Sequence, residues 1–263
     1  MKVQIEYNKK IYQINSDEGI DISISVKFNE NKNPKFYDIS PPQKKYYKYN
    51  NIEYNIDKGA GCNVPLINMN IHCCGTHTET SNHIFKNGPY ISEILDINHM
   101  PSQLISIKPR LCLDENYHAK INEDDKVITK EQIKEKVESN NNFEIKSLII
   151  RTLPNDNHKI TKNYNNENHP FLSNDAISYI KKIGIKHLLI DTPSIDKYED
   201  DGKLGNHKIF FLDREGTPNN NTITEFIFIP NNYRDGNYFL NLGIPKFDLD
   251  AAPSRPIIFP IEE

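Results

Sequence analysis

Ser147-Leu148-Ile149-Ile150-Arg151-Thr152 and His187-Leu188-Leu189-Ile190-Asp191 are two short apolar runs, separated by an amphipathic stretch that begins at Ser173 or Asn174. Runs of that length, rich in Leu and Ile, read as strands buried on both faces. Between them Ile177, Ile180 and Ile183 fall on one helical face, and Gly184 suits the left-handed residue that ends a helix. Strand, helix and strand in this order imply a right-handed parallel crossover. The unit places the chain in the α/β class.

Working outward, Gln103-Leu104-Ile105-Ser106-Ile107 is a further strand, and Thr129-Lys130-Glu131-Gln132 is a capping-box start for a helix running to about Ser139. Ile20 to Val26 alternates with period two, as a half-buried strand does. Pro41 to Asn51 reads as an exposed loop or edge within a stretch holding five tyrosines from Tyr37 to Tyr54, which packs on the body or serves as a contact surface. The last third returns to strands at Lys208–Leu212, Ile223–Ile229, Tyr238–Leu242 and Pro256–Ile261. No internal repeat and no linker appear. We expect a strand-rich α/β domain over residues 61–263, with an N-terminal strand and loop region, residues 1–60, packed on it.

The 263 residues suffice for a substantial core, and apolar runs between Asn- and Lys-rich loops such as Asn140–Asn142 and Asn219–Asn221 exclude disorder over the whole length. The net charge of −4 and the lack of a basic cluster argue against a nucleic-acid partner. The N-terminus has no apolar signal core and no stretch is long enough to span a bilayer, so a cytoplasmic protein without a membrane partner is expected. The four cysteines, Cys62, Cys73, Cys74 and Cys112, follow neither a disulfide framework nor a paired zinc pattern and read as free thiols.

The chemistry concentrates in Asn70-Ile71-His72-Cys73-Cys74-Gly75-Thr76-His77-Thr78-Glu79-Thr80-Ser81-Asn82-His83. Neutral imidazole and carboxylate are the ligand set of a divalent first-row metal. In an extended strand His77 and Glu79 point to one side, and His83 reaches that side if the chain stays extended.

Gly75-Thr76-His77-x-Glu79-x-x-x-His83 resembles the bacterial cyclase family of metal-dependent hydrolases, whose signature is His-x-Gly-Thr-His-x-Asp-x-Pro-x-His. That family includes bacterial kynurenine formamidase, an arylformamidase of tryptophan catabolism, and isatin hydrolase. Gly184 to Asp196 is similar to the family's "GIDTPSVD" strand and turn, and His207-Lys208-Ile209-Phe210-Phe211 to its His-x-x-Leu-Leu. Thr224-Glu225-Phe226 stands where the family has Glu-Asn-Leu, and Leu249 to Pro256 matches its "DASPVRP" ending. The first sixty residues show no match by eye.

The resemblance implies a mixed sheet or barrel-like core with a few flanking helices (the swivelling β/β/α type), a small-molecule substrate, and a homodimer or higher homo-oligomer. It implies one or two ions of zinc or manganese held by His72, His77, Glu79, His207 and Glu225, with His83 as the acid–base group and no organic cofactor. The implied reaction is hydrolysis of an N-acyl or cyclic amide. Lactone or cyclic-imide hydrolysis on the same site, or a non-catalytic metal- or ligand-binding member, are the alternatives.

Three departures bear on the site. His72 stands five residues before His77 where the family has four, so Cys73 occupies the ligand register; either His72 reaches in through a local bulge, or Cys73 replaces it as a thiolate, or that ligand is missing, with His72 favoured over Cys73. Glu79 replaces Asp. His207 and Glu225 are further apart than usual, with Asp213–Asn221 read as a longer hairpin. Asp191 and Asp196 flank Thr192-Pro193-Ser194, a turn at a strand end, where they either support the ligands from behind or simply cap the turn; Ser194 within it is a further candidate for support. Arg151 is a candidate for a substrate carboxylate. His187 reads as a strand histidine satisfied by backbone, and His99, His118, His158 and His169 as solvated loop residues.

Overall fold

The computed structural model describes residues 1–94, 97–138, 143–165 and 167–262. The chain opens with β1 (Lys2–Tyr7), β2 (Lys10–Asn15) and β3 (Ile20–Asp21). An arm follows, built from β4 (Gln43–Tyr46), β5 (Lys48–Tyr49), β6 (Ile52–Glu53) and β7 (Pro65–Asn68). Then come β8 (His77–Thr80), β9 (Met100–Ile107), β10 (Arg110–Leu111), β11 (Lys126–Ile128) and helix α1 (Lys130–Glu138). The crossover unit comprises β12 (Ser147–Thr152), β13 (Phe171–Leu172), α2 (Asn174–Lys182) and β14 (His187–Ile190). Helix α3 (Gly205–Phe211) leads to β15 (Thr222–Glu225), β16 (Gly236–Gly243), β17 (Ala251–Pro253) and β18 (Arg255–Glu262).

Eleven strands form one mixed sheet in the order β1-β2-β18-β16-β9-β12-β14-β15-β8-β17, with β3 also on β18. The central strands β9, β12, β14 and β15 are mutually parallel, and β16 and β8 flank them antiparallel. The expected crossover is thus present. Ser173 caps α2, its side chain accepting from Ala176 N, and Gly184 at φ +87° takes the left-handed turn beyond the last helical residues.

Period-two alternation sorts β12 and β14 between two cores. Leu148, Ile150, Leu188 and Ile190 meet Ile133, Ile177, Ile180 and Phe210 of the three helices on one face. Ile149 and Leu189 meet Leu240, Leu242 and Ile258 on the other. Since those partners belong to β16 and β18 of the same sheet, the sheet curls over its own face, as twisted sheets of this width do. Each fully buried Ile or Leu contributes about 1.5–3 kcal/mol relative to exposure. A charge in place of Ile180 would break the α2 contact. The chain is a single mixed α/β domain with three helices among the described residues.

Several elements differ from expectation. Lys208–Leu212 is not a strand: residues 205–211 are helical, because Asp196 accepts from the backbone N–H groups of Asn206 and His207 and so holds the start of α3. Ile20–Val26 pairs only over Ile20–Asp21, and Ile223–Ile229 only to Glu225, after which Phe226 turns to φ +56°. Ser139 and Asn140–Asn142 lie outside the described residues.

Candidate metal centre

The site forms at the carboxyl ends of the parallel strands, where open α/β sheets place ligands. Antiparallel pairing sets His77 opposite Glu225 and Glu79 opposite Ile223, so the start of β8 meets the end of β15. Alternation aims His77 and Glu79 to one side. Before β8 the chain reverses through residues 71–75: Asn70 accepts from Cys73 N through Oδ1 and from the Cys74 thiol through its carbonyl. Gly75 at φ +83° ends this turn, and a Cβ there would sit 2.9 Å from Val26. The extra residue relative to the family pattern is absorbed in that turn and not in a strand bulge. His83 arrives through a 3-10 turn, Ser81–His83, capped by Thr80, not by continued extension of β8.

Three imidazoles present a nitrogen to carboxylate oxygens while their other nitrogen is committed. His207 Nδ1 donates to Asp196 Oδ2 at 2.6 Å, and its Nε2 faces Glu79 Oε1 at 2.9 Å and Glu225 Oε1 at 3.8 Å. His77 Nδ1 donates to the Gly75 carbonyl at 3.2 Å, and its Nε2 faces Glu225 Oε2 at 3.5 Å. His72 Nε2 donates to Asp250 Oδ2 at 2.9 Å, and its Nδ1 faces Glu79 Oε2 at 3.1 Å. These tautomers follow from the hydrogen-bond network.

Buried His77 Nε2 and Glu79 Oε1 make no hydrogen bond of acceptable geometry, despite those neighbours. Donor atoms sharing one first-row ion stand about 3.0–3.5 Å apart without pointing at each other. His72, His77 and Glu79 make one group of donor atoms within 4.8 Å of one another, and Glu79, His207 and Glu225 make a second. The donor set fits one or two divalent cations, with Glu79 common to both positions. The chemistry is that of nitrogen and oxygen ligands; Cys73 enters neither group. Burial pushes the Cys73 thiol up to about 11, away from the thiolate a metal needs.

The electrostatics follow from this crowding. Burial disfavours a charged His72, yet the carboxylates of Asp250 and Glu79 outweigh it and raise the ring to about 10. For His207 burial is likewise overcome by Glu79 and Asp196, which raise it well above the ordinary imidazole value. Burial opposes ionisation of Glu79, but His83 and His207 hold its carboxyl well below the usual range. Hydrogen bonds from His72 and His83 lower Asp250. Protons or a cation must neutralise these carboxylates, and the two compete for the same nitrogens.

The structure brings together all six residues singled out in sequence as ligands or acid–base group, His72, His77, Glu79, His83, His207 and Glu225. Ser194 lines the adjoining cavity, and its Oγ accepts from Asp196 N at 3.1 Å, so it steadies the carboxylate behind His207. Asp191 belongs elsewhere: buried just past the end of β14, it takes Thr152 N and Oγ1 and the ammonium of the part-buried Lys159 at 2.7–2.9 Å. Arg151 is likewise spent on Ser106, Asp235 and the carbonyls of Pro230 and Tyr233. His187 is buried at the start of β14, its Nδ1 2.9 Å from the Thr222 hydroxyl. His169 is buried at 2% exposure, and His118 turns inward to Asp200 and Asp196. Asp196, which flanks the strand-end turn, does support a proposed ligand from behind, whereas Asp250 is the residue sequence reasoning missed. Asp250 sits in a stretch already matched to the family, but its contact with His72 lies 178 residues away in the chain.

Beside the centre is a cavity of about 240 Å³. Phe36, Tyr37, Pro193 and Leu204 supply apolar wall, and Lys197 and Asp200 supply charge. Lys197 is held by Asp125 at 2.5 Å and the Lys120 carbonyl at 3.0 Å.

The comparisons with known proteins agree with this geometry. Residues 20–197 match the sequence model of the Cyclase family, described as "Putative cyclase". That stretch starts well before the first match visible by eye. A solved structure described as a potential metal-dependent hydrolase with cyclase activity is 20% identical, with 93% of this chain and 98% of that one covered at TM-score 0.61. A predicted metal-dependent hydrolase from Bacillus stearothermophilus is 18% identical, covering 92% and 97% at TM-score 0.59. Isatin hydrolase A from Ralstonia solanacearum is 12% identical, covering 92% and 91% at TM-score 0.66. No curated protein matches the chain. At these identities the structural likeness speaks for the fold, while the sequence match spans more than half the chain and includes the first metal-site motif: this chain belongs to the cyclase family.

Proposed function

We propose that the protein is a metal-dependent hydrolase that cleaves the carbon–nitrogen bond of a small N-acyl or cyclic amide. One observation carries the reading: His72 Nδ1, His77 Nε2, His207 Nε2 and the carboxylates of Glu79 and Glu225 converge, with each imidazole's other nitrogen already bonded. In this reading those five residues hold zinc or manganese. A divalent cation bound there supplies Lewis acidity, polarising an amide carbonyl and making water a stronger acid.

The remaining work falls to the chain itself. His83 Nδ1 is fixed on Asp250 Oδ2 at 3.1 Å, and its Nε2 faces the centre, 3.8 Å from Glu79 Oε2. Nε2 is therefore placed to take a proton from the attacking water and return it to the leaving nitrogen. Asp250 and Asp196 orient His72 and His207. The Phe36 and Tyr37 wall excludes water from one side of the substrate.

An N-formyl aryl amine is the first substrate to try within this class, followed by lactones and cyclic imides. Elemental analysis of the purified protein should give stoichiometric zinc or manganese. A hydrolysis panel of formanilides, lactones and cyclic imides should show activity that His83→Ala lowers by about 10²–10⁴-fold. Metal without turnover on any of them would favour a non-catalytic binding protein, and absence of metal would sink the reading.

A further inference from the structure

His83 sits on the 3-10 turn Ser81–His83, and the backbone of that turn is held from two sides. On one side Thr80 Oγ1 donates to the Pro89 carbonyl at 2.6 Å, and Asn82 Nδ2 donates to the Gly88 carbonyl at 2.9 Å. Gly88 approaches so closely that a Cβ there would stand 2.3 Å from Asn82 N. On the other side the buried Ser81 donates its hydroxyl to the Asn219 carbonyl at 2.9 Å. Ile84 and Phe85, next along the chain, pack on the core that contains Phe210 and Phe211. Apolar contacts hold the segment against the body, and directional hydrogen bonds set the angle at which the turn leaves it.

Asn219 lies in Asp213–Asn221, the stretch that lengthens the chain between His207 and Glu225. The stretch closes on itself: Asp213 N donates to the Thr217 carbonyl at 2.8 Å, and Leu212 bridges Pro218. Asn219 then returns to α3, its N donating to the Phe211 carbonyl at 2.8 Å and its Nδ2 to the Phe210 carbonyl at 3.0 Å. The last carbonyls of a helix have no partner within it, so these bonds fix Asn219 on the end of α3. His207 stands one turn earlier on the same helix. Through Asn219, the Ser81 hydroxyl ties the turn bearing His83 to the helix bearing His207.

We propose that Ser81 is a positioning residue for His83, with Asp213–Asn221 as its brace. The assignment rests on the hydrolase reading of this centre. Asp250 holds the His83 ring at Nδ1, and a ring held at one nitrogen still pivots about that contact. Fixing the backbone of the turn as well leaves Nε2 one place, 3.8 Å from Glu79 Oε2. Proton transfer needs heavy atoms within about 2.6–3.2 Å, and misplacement by about 1 Å costs on the order of a hundredfold. Loosening the brace therefore acts on turnover. His72, His77 and Glu79, and the cavity wall at Phe36 and Tyr37, lie outside it and keep their places.

Ser81→Ala should lower kcat on a substrate found in the hydrolysis panel by about 10- to 100-fold, with KM and metal content within about twofold of wild type. Ser81→Pro also lacks the hydroxyl, yet it should recover most of kcat. Proline's fixed φ suits the first position of the turn, and Thr80 before it is extended at φ −118° and ψ 176°. Asn219→Ala, which frees the brace from Phe210, should lower kcat likewise, and the double variant with Ser81→Ala should be no worse than about the poorer single one. Amide exchange reads the turn without any substrate: Ile84 N and Phe85 N donate to the Ser81 carbonyl at 3.2 and 2.9 Å. Both should exchange about tenfold faster in Ser81→Ala and return to the wild-type rate in Ser81→Pro, while the β8 amides stay unchanged. Unchanged exchange would overturn the brace whether or not a substrate is found. Faster exchange with undiminished kcat, a kcat loss that Ser81→Pro does not recover, or losses that simply add would overturn the positioning of His83. A wild type inactive on every substrate, with exchange as expected, would refute the hydrolase reading and the catalytic role with it, and leave the brace standing.

Discussion

The rings of His72 and His83 lie stacked, centroids 4.2 Å apart and planes inclined by 28°, because both donate to the same oxygen of Asp250, at 2.9 and 3.1 Å. One carboxylate thus orients a proposed metal ligand and the proposed proton carrier together. Asp250→Ala should weaken metal binding by about 10–100-fold, the usual cost of losing a carboxylate behind a ligating histidine. It should also lower kcat at saturating metal, since His83 loses its anchor. Chelator-competition titration measures the first effect and steady-state kinetics the second. Unchanged values for both would show that Asp250 orients neither ring.

The register of the first ligand is decided by His72 and Cys73. His72 Nδ1 faces Glu79, whereas Cys73 packs with Phe36 and Phe226 in an apolar cluster. His72→Ala should therefore cost at least about tenfold in metal affinity. Cys73→Ser should leave metal content intact and change stability by about 1–3 kcal/mol, as expected when an unpartnered hydroxyl replaces a small apolar group in a core. Metal loss in the Cys73 variant with retention in the His72 variant would reverse the assignment.

Removal of the metal should destabilise the fold. The centre gathers strand β8, the end of β15 and helix α3, and without a cation the buried Glu79 depends on protonated neighbours. A ligand present at a hundred times its Kd stabilises by about 2.7 kcal/mol. For a chain of this size that corresponds to about 5–10 °C in Tm. Calorimetry before and after dialysis against a chelator, with metal added back, measures it; an unchanged Tm in a preparation shown to have lost its metal would refute the coupling.

His169 sets an acid limit away from the ligands. Burial lowers its pKa from the ordinary 6.5 to about 4, and Nδ1 is a buried nitrogen without a hydrogen bond. The native state thus holds this ring neutral where the unfolded chain would protonate it. Stability is fully present above about pH 6.5 and falls as the pH drops towards 4, by about 3 kcal/mol in all. Denaturant midpoints measured from pH 7 to 4 should show this loss, and His169→Asn should flatten that part of the profile. An identical slope in the variant would place the acid sensitivity elsewhere.

Much of the fold and the candidate ligand set could be read from order along the chain. Buried strands announce themselves as Leu148–Ile150 and Leu188–Ile190, the α2 cap as Ser173, and the ligand pair His77 and Glu79 as alternation on one strand. These are local properties: propensity, period and capping act over a few residues, so a linear reading recovers them. The helix at Gly205–Phe211 escaped because its start is held by Asp196, a partner that periodicity does not reveal.

The tertiary structure decided the rest. It turned His72 towards Glu79 and Cys73 into an apolar cluster by spending the extra residue in a turn that Gly75 can close, and it brought Asp250 to two histidines 178 and 167 residues away. It moved Asp191 out of the site by pairing it with Lys159. The motif from Asn70 to His83 names the chemistry by itself, because side-chain type determines what can ligate. Which nitrogen faces inward, and which carboxylate holds it there, depends on distances between elements that only the folded sheet brings together.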